Sequence, residues 1–171
     1  MFVIKKATLK DASLLSKLSI AAFLPAHGHS ATKEIIKRYI DTNFSKKNFI
    51  IELSNSDFQY HLIYYKTKIA SFSKVIFNSE NKSISGKNVT KMERLYLLKE
   101  CYGLGLGKDL LNFNTTLARE HKQAGIWLFV WIENLKAIAF YKKMGFQKVG
   151  EHDFVLSPTK TNPNDVLYLK F

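Results

Sequence analysis

The spacing of apolar residues predicts a strand and then two helices at the start of the chain. Residues 2–8 are predicted to form a first strand, and Asp11 is placed to cap a helix after it. Residues 25–30 are expected to break this helix, and Ser30 to cap the next one. The apolar faces of the two helices consist of Leu14, Leu15, Leu18, Ala21 and Ala22, and of Ile36, Tyr39 and Ile40.

Two strand-like runs follow, residues 58–65 and residues 68–77, and only a short connection separates them. Such a pair of runs is typical of a β-hairpin. The polar residues 54–57 predict a turn before the hairpin. Residues 78–88 are polar with one glycine, so we expect an exposed link to the next strand.

The remaining half of the chain is predicted to alternate strands with helices. Residues 94–98 form a short aromatic and aliphatic strand, and residues 125–131 carry no charge, as in a strand covered on both faces. We therefore place residues 125–131 at the centre of the sheet. Each strand precedes a helix with one apolar face, formed by Leu106, Leu110, Phe113 and Leu117 in the first and by Ala137, Phe140, Tyr141 and Met144 in the second.

Two final strands are expected at residues 146–155 and 166–171, after Gly145 ends the second of these helices. Pro158 and Pro163 lie in the connection between them. The pattern thus predicts an α/β chain in the order β-α-α-β-β-β-α-β-α-β-β, folded as one domain over residues 1–171.

Composition narrows the classes of protein that fit this pattern. A chain of 171 residues can bury a core of its own, and its single cysteine, Cys101, excludes an internal disulfide. No run of about 18 uncharged apolar residues is present, and the first residues lack the flanks of a signal peptide. We expect a cytoplasmic protein with no membrane partner.

The charge of the chain favours anionic ligands. Its 26 Lys and Arg residues outnumber 14 Asp and Glu residues, which gives a net charge of +12. Such a field attracts nucleic acid, anionic lipid or a cofactor that carries several phosphates. The basic residues are dispersed and form no block of about five or six, so nucleic acid is not an expected partner.

Three glycines, Gly103, Gly105 and Gly107, separate the strand at residues 94–98 from the helix that follows it. A loop with so few side chains lets a ligand approach the backbone. The start of the helix offers unpaired N–H groups and the positive end of the helix dipole. The pattern predicts a phosphate-binding site, with an ordinary flexible turn before a helix as the alternative.

Two common phosphate-binding motifs do not fit these glycines. A Walker A loop requires Gly-x4-Gly-Lys-Ser/Thr, but Tyr102 stands at its opening position and Asp109 at its closing one. A Rossmann fingerprint requires a third glycine where Lys108 stands. The Walker interpretation therefore fails, and the dinucleotide interpretation is weak.

The pattern Tyr-x-x-Gly-x-Gly at residues 102–107 resembles the pyrophosphate loop Gln/Arg-x-x-Gly-x-Gly/Ala of the GNAT superfamily of acyl-CoA N-acyltransferases, apart from Tyr102. Residues 134–146 resemble the Asn-x-x-Ala-x-x-Phe-Tyr-x-Lys-x-Gly-Phe segment of the same superfamily. The resemblance covers the whole chain, and it implies a mixed central sheet of about seven strands flanked by about four helices. In that family, two neighbouring strands splay apart and admit the pantetheine arm of acetyl-CoA.

The resemblance also implies roles for single residues. Tyr141 corresponds to a general acid that protonates the leaving thiolate. Glu93 corresponds to a base that accepts a proton from the amine, with a solvated carboxylate as the alternative. Asn134 would bind the pantetheine amides, and Lys108 and Lys143 would meet phosphates. The residues implied to bind acetyl-CoA are Leu95, Tyr96, Leu97, Tyr102, Gly103, Leu104, Gly105, Leu106, Gly107, Lys108, Asn134, Ala137, Tyr141 and Lys143.

Other reactive side chains have weaker support. Cys101 is not expected to carry an acyl group, since the sequence places no paired base near it. His27 and His29 have no cysteine or carboxylate partners of the kind that would make a metal site, so no metal is expected. We expect these two histidines, together with Glu93, at the acceptor pocket.

Short segments of the chain resemble bacterial PaiA-type polyamine N-acetyltransferases; they begin at His27, Glu52, Arg94, Gly125 and Asn162. This resemblance implies acetyl transfer to a primary amine by direct attack on the thioester, with spermidine, spermine or a related polyamine favoured. The net charge of +12 repels a polycation at long range, although salt screens charges beyond about 8 Å. Local carboxylates such as Glu93 or Glu151 would therefore decide recognition.

Two other functions stay open. The protein could acetylate a protein N-terminus or a lysine, which a wide acceptor groove would favour over a closed acidic pocket. It could also be a non-catalytic relative that binds acyl-CoA or nucleic acid. The sequence determines neither the acyl chain nor the oligomeric state, and a homodimer stays open.

Overall fold

The computed structural model describes residues 1–171, which form seven strands and five α-helices. Two single-turn 3-10 helices lie at Leu9–Asp11 and Lys99–Cys101. In chain order the elements are β1 (Phe2–Lys6), α1 (Ala12–His27), α2 (Lys33–Asn43), α3 (Lys46–Leu53), β2 (Phe58–Tyr65), β3 (Lys68–Ile76), β4 (Thr90–Leu97), α4 (Leu106–Glu120), β5 (Gly125–Trp131), α5 (Leu135–Lys143), β6 (Gln147–Ser157) and β7 (Lys160–Lys170).

The strands form one mixed sheet in the order β1-β2-β3-β4-β5-β7-β6. β4 and β5 are parallel and pair Thr90 with Ile126 and Lys91 with Trp127. β1 pairs with β2, and β7 with both β5 and β6, in antiparallel orientation. The predicted α/β class with about seven strands is confirmed, and β5 lies in the interior of the sheet as its uncharged sequence predicts. None of the helices is both long and apolar enough to cross a membrane.

The residues group into two compact units, one of residues 1–74 and 94–111 and the other of residues 75–93 and 112–171. We call them the first and the second unit. The prediction of a single domain over residues 1–171 stays a prediction.

Aromatic side chains fill the core of the first unit. Phe49, Tyr60 and Phe72 are almost completely buried, and α1 packs on α3 above them. The ring of Tyr60 lies 5.9 Å from Phe49 in an edge contact and 6.3 Å from Phe72 in a stacked one. Burying a side chain of this size contributes about 1.5–3 kcal/mol, so these rings hold the helices on the hairpin.

A smaller core in the second unit forms around Trp127 of β5. Val89 and Val166 are buried against it. The indole N–H of Trp127 donates a hydrogen bond of 2.7 Å to the carbonyl of Ser79. The segment between β3 and β4, predicted as an exposed link, is therefore tied to the sheet face at Trp127.

One helix was missed by the sequence patterns. α3 spans residues that carry no clear helical periodicity, yet Ser45 caps it by accepting a hydrogen bond of 3.1 Å from the N–H of Asn48. Phe49 is its only fully buried residue and anchors the helix in the core. Five helices are therefore present, against the predicted four.

The predicted helix boundaries were right in place for α1 and wrong for α2. α1 ends at His27, within the segment predicted to break it, and it includes Pro25 in its last turn. Asp11 is the N-cap residue of α1, although its side chain accepts hydrogen bonds from the N–H and hydroxyl of Thr8 and none from α1. Thr32, instead of Ser30, caps α2.

The strand predictions were right for the hairpin and for β5, and less accurate for β4 and β7. Lys66 and Thr67 both have positive φ, as a two-residue hairpin turn requires. β4 begins at Thr90, four residues before the predicted start. β7 begins at Lys160 and contains Pro163, which is tolerated because the pairing with β5 begins one residue later, at Asn164.

Candidate active site

The glycine loop between β4 and α4 leaves its backbone uncovered. Gly103 and Gly105 both have a φ of +79°, a conformation that other residues rarely adopt. No atom lies within 4 Å of the position that a Cβ would take at either glycine. Tyr102 and Leu104 are exposed beside them. The loop therefore presents open backbone, as a phosphate-binding loop requires.

α4 begins directly after this loop, at Leu106. The N–H of Asp109 donates to the carbonyl of Gly105 at 3.1 Å, so the N–H groups before Asp109 belong to the first turn, which has no acceptors within the helix. Leu106 and Leu110 are buried and anchor this end of the helix, while Lys108 is exposed. An anion placed here would meet about half an elementary charge from the helix dipole.

The second half of β4 lies in the first unit and carries Leu95, Tyr96 and Leu97. The carbonyl of Tyr96 accepts a hydrogen bond of 2.6 Å from the Ser71 hydroxyl. The Tyr96 ring contacts Phe72 at 5.5 Å, with the rings nearly perpendicular. The side chain of Tyr96 therefore packs against the core of the first unit.

Glu93 precedes this segment and lies in the second unit. The ammonium of Lys91 is 3.1 Å from Glu93 Oε1, and both side chains are partly exposed. The same ammonium lies 5.4 Å from the ring centre of Trp127 and 5.3 Å from that of Phe129. Lys91 thus holds the carboxylate that we predicted as the base, a contact that the sequence interpretation missed.

A buried charge cluster in the first unit also escaped the sequence interpretation. Oε2 of Glu52 lies 2.9 Å from Lys74 Nζ and 3.4 Å from Arg94 Nη1, and it accepts a hydrogen bond from the Tyr60 hydroxyl. Burial by itself would raise the pKa of Glu52, but the charges of Arg94 and Lys74 outweigh it and hold the pKa below its usual value. The cluster ties α3 to the strand that carries Leu95–Leu97.

Tyr141 lies on α5 in the second unit and is buried. Its ring contacts Phe140 at 5.1 Å and Phe146 at 5.4 Å, both at steep angles. The N–H of Phe146 donates to the carbonyl of Tyr141 at 3.0 Å. These contacts hold the Tyr141 ring in one orientation, as a residue that donates a proton to a bound ligand requires.

Asn134 has a structural role that the motif did not reveal. Its Oδ1 accepts a hydrogen bond of 3.2 Å from the N–H of Ala137 and so caps α5. An Asn three residues before a helical N–H is a common N-cap pattern, and this pattern could have predicted the role. Contact of the Asn134 amide nitrogen with pantetheine stays a prediction. Lys143 is exposed, and its contact with phosphate also stays a prediction.

The two histidines predicted at the acceptor pocket lie in the first unit around the end of α1. His27 is half-buried and stacks on Phe23 at 5.0 Å, while His29 is exposed. The pKa of His27 is lowered to about 4, mainly by burial and to a smaller extent by the nearby charge of His29. His27 is therefore neutral at physiological pH.

Cys101 lies in the 3-10 turn before the glycine loop. Burial raises the pKa of its thiol, and the charge of Glu100 acts in the same direction. A raised pKa disfavours the reactive thiolate. No group of three or more His, Cys, Asp or Glu side chains is arranged to hold a metal ion.

The fold and the glycine loop together define a class of protein. Residues 24–146 match the family model for the Acetyltransferase (GNAT) family, and this range includes the glycine loop, β5 and α5. The chain therefore belongs to the GNAT family, and it is an acetyl-CoA-dependent N-acetyltransferase. Acetyl-CoA is its co-substrate, which agrees with the open loop at the start of α4.

Individual proteins that are similar to this chain share only part of its sequence. Over 148 residues the chain is 26% identical to an uncharacterised N-acetyltransferase in the pepI 3′ region of Lactobacillus delbrueckii subsp. lactis, which covers 86% of this chain and 85% of that protein. Over 93 residues it is 30% identical to a probable spermine N(1)-acetyltransferase of Bacillus subtilis subsp. natto, which covers 54% of this chain and 61% of that protein.

A similar solved structure is that of the PaiA N-acetyltransferase from Thermoplasma acidophilum in complex with coenzyme A. The TM-score is 0.79 over 100% of this chain and 99% of that chain, at 19% identity. At this identity the similarity establishes the fold.

Proposed function

We propose that this protein acetylates a primary amine and that its favoured acceptor is a polyamine such as spermidine or spermine. The observation that carries the cofactor part of the proposal is the glycine loop, where Gly103 and Gly105 leave open space in front of the first turn of α4. The reaction class follows from the family. The polyamine acceptor is supported by the similarity to the probable spermine N(1)-acetyltransferase of Bacillus subtilis subsp. natto and by the sequence resemblance described above.

The backbone of the glycine loop would hold the diphosphate of the co-substrate. N–H groups between Gly103 and Lys108 would donate to the phosphate oxygens, and no side chain fills the space above the two left-handed glycines. Lys108 and Lys143 would add positive charge, while backbone groups of Leu95, Tyr96 and Leu97 would bind the pantetheine arm. This arrangement needs no particular side chain at the thioester itself.

Acetyl transfer further requires a neutral amine and a proton for the leaving thiolate. Acetyl-CoA supplies the activated acetyl group. The Glu93 carboxylate would accept the proton of the incoming ammonium, directly or through water. The Tyr141 phenol would donate a proton to the leaving thiolate; the ordinary pKa values are about 10 for a phenol and about 8.5 for a thiol.

The activity can be measured by following thiol release from acetyl-CoA with a panel of polyamines, amino acids and peptides as acceptors. We expect spermidine and spermine to give the highest kcat/KM. A higher kcat/KM with a peptide would contradict the polyamine proposal and favour a protein acceptor. Absence of thiol release with every acceptor, while CoA still binds, would leave only the non-catalytic alternative.

The assignment of Tyr141 is tested by Tyr141→Phe, which removes the hydroxyl and keeps the ring contacts with Phe140 and Phe146. We expect kcat to fall by about 10²-fold with little change in the KM for acetyl-CoA. Tyr65→Phe, a matched change on β2 outside the proposed site, should leave both constants unchanged. An unchanged kcat in Tyr141→Phe would remove the residue from the reaction.

A further inference from the structure

A cavity of about 330 Å³ lies within the second unit, beside the Lys91–Glu93 ion pair. Trp127, Phe129 and His152 form its aromatic wall. The imidazole of His152 stacks on Phe129 at 4.1 Å, and Trp127 meets Phe129 at 5.0 Å in an edge contact. We call this space the aromatic cavity. None of the roles described above uses it.

A second cavity of about 210 Å³ adjoins the first, because Glu151 and His152 line both. It is lined in addition by Asp153 and Asp165, and we call it the acidic cavity. The two cavities are therefore neighbours along β6.

The chain's own lysines show that each cavity can hold an ammonium group. At the aromatic cavity the Lys91 ammonium lies over the rings of Trp127 and Phe129, 5.4 and 5.3 Å from their centres. Cations bind to aromatic faces in this geometry. In the acidic cavity the Lys148 ammonium lies 2.7 Å from Asp165 and 2.8 Å from Glu151.

The electrostatics of the second ammonium position agree with this geometry. Hydrogen bonds from Lys148 to Asp165 and then to Glu151 raise the pKa of Lys148, so both carboxylates favour a cation at that point.

The side chains that line the two cavities carry a small net negative charge, although the protein as a whole is strongly positive. The linings contain four carboxylates, those of Glu80, Glu151, Asp153 and Asp165, and three lysine ammonium groups, those of Lys82, Lys91 and Lys148. The chain as a whole carries +12. A polycation repelled by most of the surface would therefore find its attractive contacts here.

We propose that the two cavities form one binding site for an extended aliphatic polyamine, whose ammonium groups take the positions that the ammonium groups of Lys91 and Lys148 occupy in the free protein. This inference rests on the proposed function, since it supplies the acceptor site for the amine that reacts near Glu93. Lys91 and Lys148 are 20% and 48% exposed and can turn into solvent. Ion pairs between partly exposed side chains contribute little to stability, so these two can be replaced by a ligand.

The test uses Trp127 as a reporter, because the chain has two tryptophans and Trp131→Phe leaves only this one. Spermidine titrated without acetyl-CoA should change the Trp127 fluorescence in a saturable way, whereas butylamine, with one ammonium group, should bind at least tenfold more weakly. Calorimetry of the unaltered protein with spermidine checks that Trp131→Phe has not changed the site. Loss of binding in both measurements would overturn the proposal.

Variants decide which groups hold the ligand. Glu151→Gln should weaken spermidine binding by about tenfold, which is the loss expected for one charge-assisted contact of about 1.4 kcal/mol. Glu120→Gln, at an exposed position of α4, is the matched control. Lys91→Ala should tighten spermidine binding several-fold, since it removes the competing ammonium. Weaker binding in Lys91→Ala, or tighter binding of a carboxylate ligand than of spermidine, would overturn the proposal.

These measurements separate the inference from the proposed function. Spermidine that binds at Trp127 but releases no thiol from acetyl-CoA would support the site and contradict the polyamine reaction. Thiol release with spermidine that is unaffected by Glu151→Gln and Lys91→Ala would support the reaction and contradict the site.

Discussion

His61 is one of two histidines, with His27, whose pKa is lowered to about 4, and its protonation should be visible in the stability of the protein. It is buried on β2, where it pairs with Lys6 of β1. Burial lowers the pKa of His61 to about 4, and the charge of Lys6 acts in the same direction. The folded protein therefore keeps this imidazole neutral under conditions in which the unfolded chain would protonate it.

We predict that the free energy of unfolding decreases as the pH falls from about 6.5 to about 4. Over this range the unfolded chain binds a proton at His61 that the folded chain does not, and the loss approaches about 3 kcal/mol. Urea unfolding at a series of pH values measures it. His61→Gln should flatten the slope in this range, and the same slope in the variant and the parent protein would contradict the assignment.

The residues of the candidate site differ in how far the sequence predicts them. The glycines of the loop can be identified because positive φ and close approach to a ligand both require this residue type. The Glu52–Arg94 contact cannot be predicted from the sequence, because it joins residues 42 positions apart and forms only after α3 packs on the sheet. The sequence interpretation of Asn134 was incomplete, since its Oδ1 caps α5.

At the scale of elements, α3 is attached to the sheet by the Glu52 cluster. Lys74 and Arg94 expose 3% and 8% of their side chains, so both depend on Glu52 for compensation of their charge. We predict that Glu52→Gln lowers the free energy of unfolding by about 3 kcal/mol, measured by urea unfolding at pH 7.

Glu120→Gln provides the control for this loss, because Glu120 is exposed at the end of α4 and its replacement should change stability by less than about 0.5 kcal/mol. Equal stabilities of the two variants would show that the cluster does not hold α3 in place.

The start of α5 allows the capping role of Asn134 to be separated from its predicted contact with pantetheine. Asn134→Ala removes both the cap and the amide, and should cost about 1 kcal/mol of stability and raise the KM for acetyl-CoA. Asn134→Asp keeps a good capping group and removes only the amide donor. It should therefore raise the KM at nearly unchanged stability; an unchanged KM would leave Asn134 with the cap alone.

The elements that the sequence predicted best are those with strong local patterns. β2, β3 and β5 have clear apolar runs, and the positive φ of Lys66 and Thr67 closes the hairpin as a two-residue turn requires. Pro163 was predicted to lie in a connection, but it lies within β7. A proline is excluded only where its missing N–H would be needed, and this depends on the neighbouring elements instead of the local sequence.

For the whole molecule, the excess of positive charge should govern the capture of acetyl-CoA. A net charge of +12 attracts a co-substrate that carries several phosphate charges, and salt screens this attraction. We predict that raising KCl from about 50 to about 500 mM increases the KM for acetyl-CoA by about tenfold. S-acetylpantetheine, which lacks the diphosphate, is the control, and an equal salt effect on both would show that phosphate charge is not what the protein recognises.

The central claim is that the open backbone at Gly103 and Gly105 holds the diphosphate of coenzyme A. Calorimetric titration of CoA tests it with Gly103→Ala and Gly105→Ala, each of which places a methyl group in the space described above. Gly86→Ala is the matched control, because Gly86 also has positive φ, at +104°, and lies in the segment between β3 and β4. All three substitutions should cost about 1–2 kcal/mol of stability.

Only the two substitutions in the glycine loop should weaken CoA binding, by tenfold or more. Unchanged CoA affinity in Gly103→Ala and Gly105→Ala, in protein that is still folded, would contradict the account.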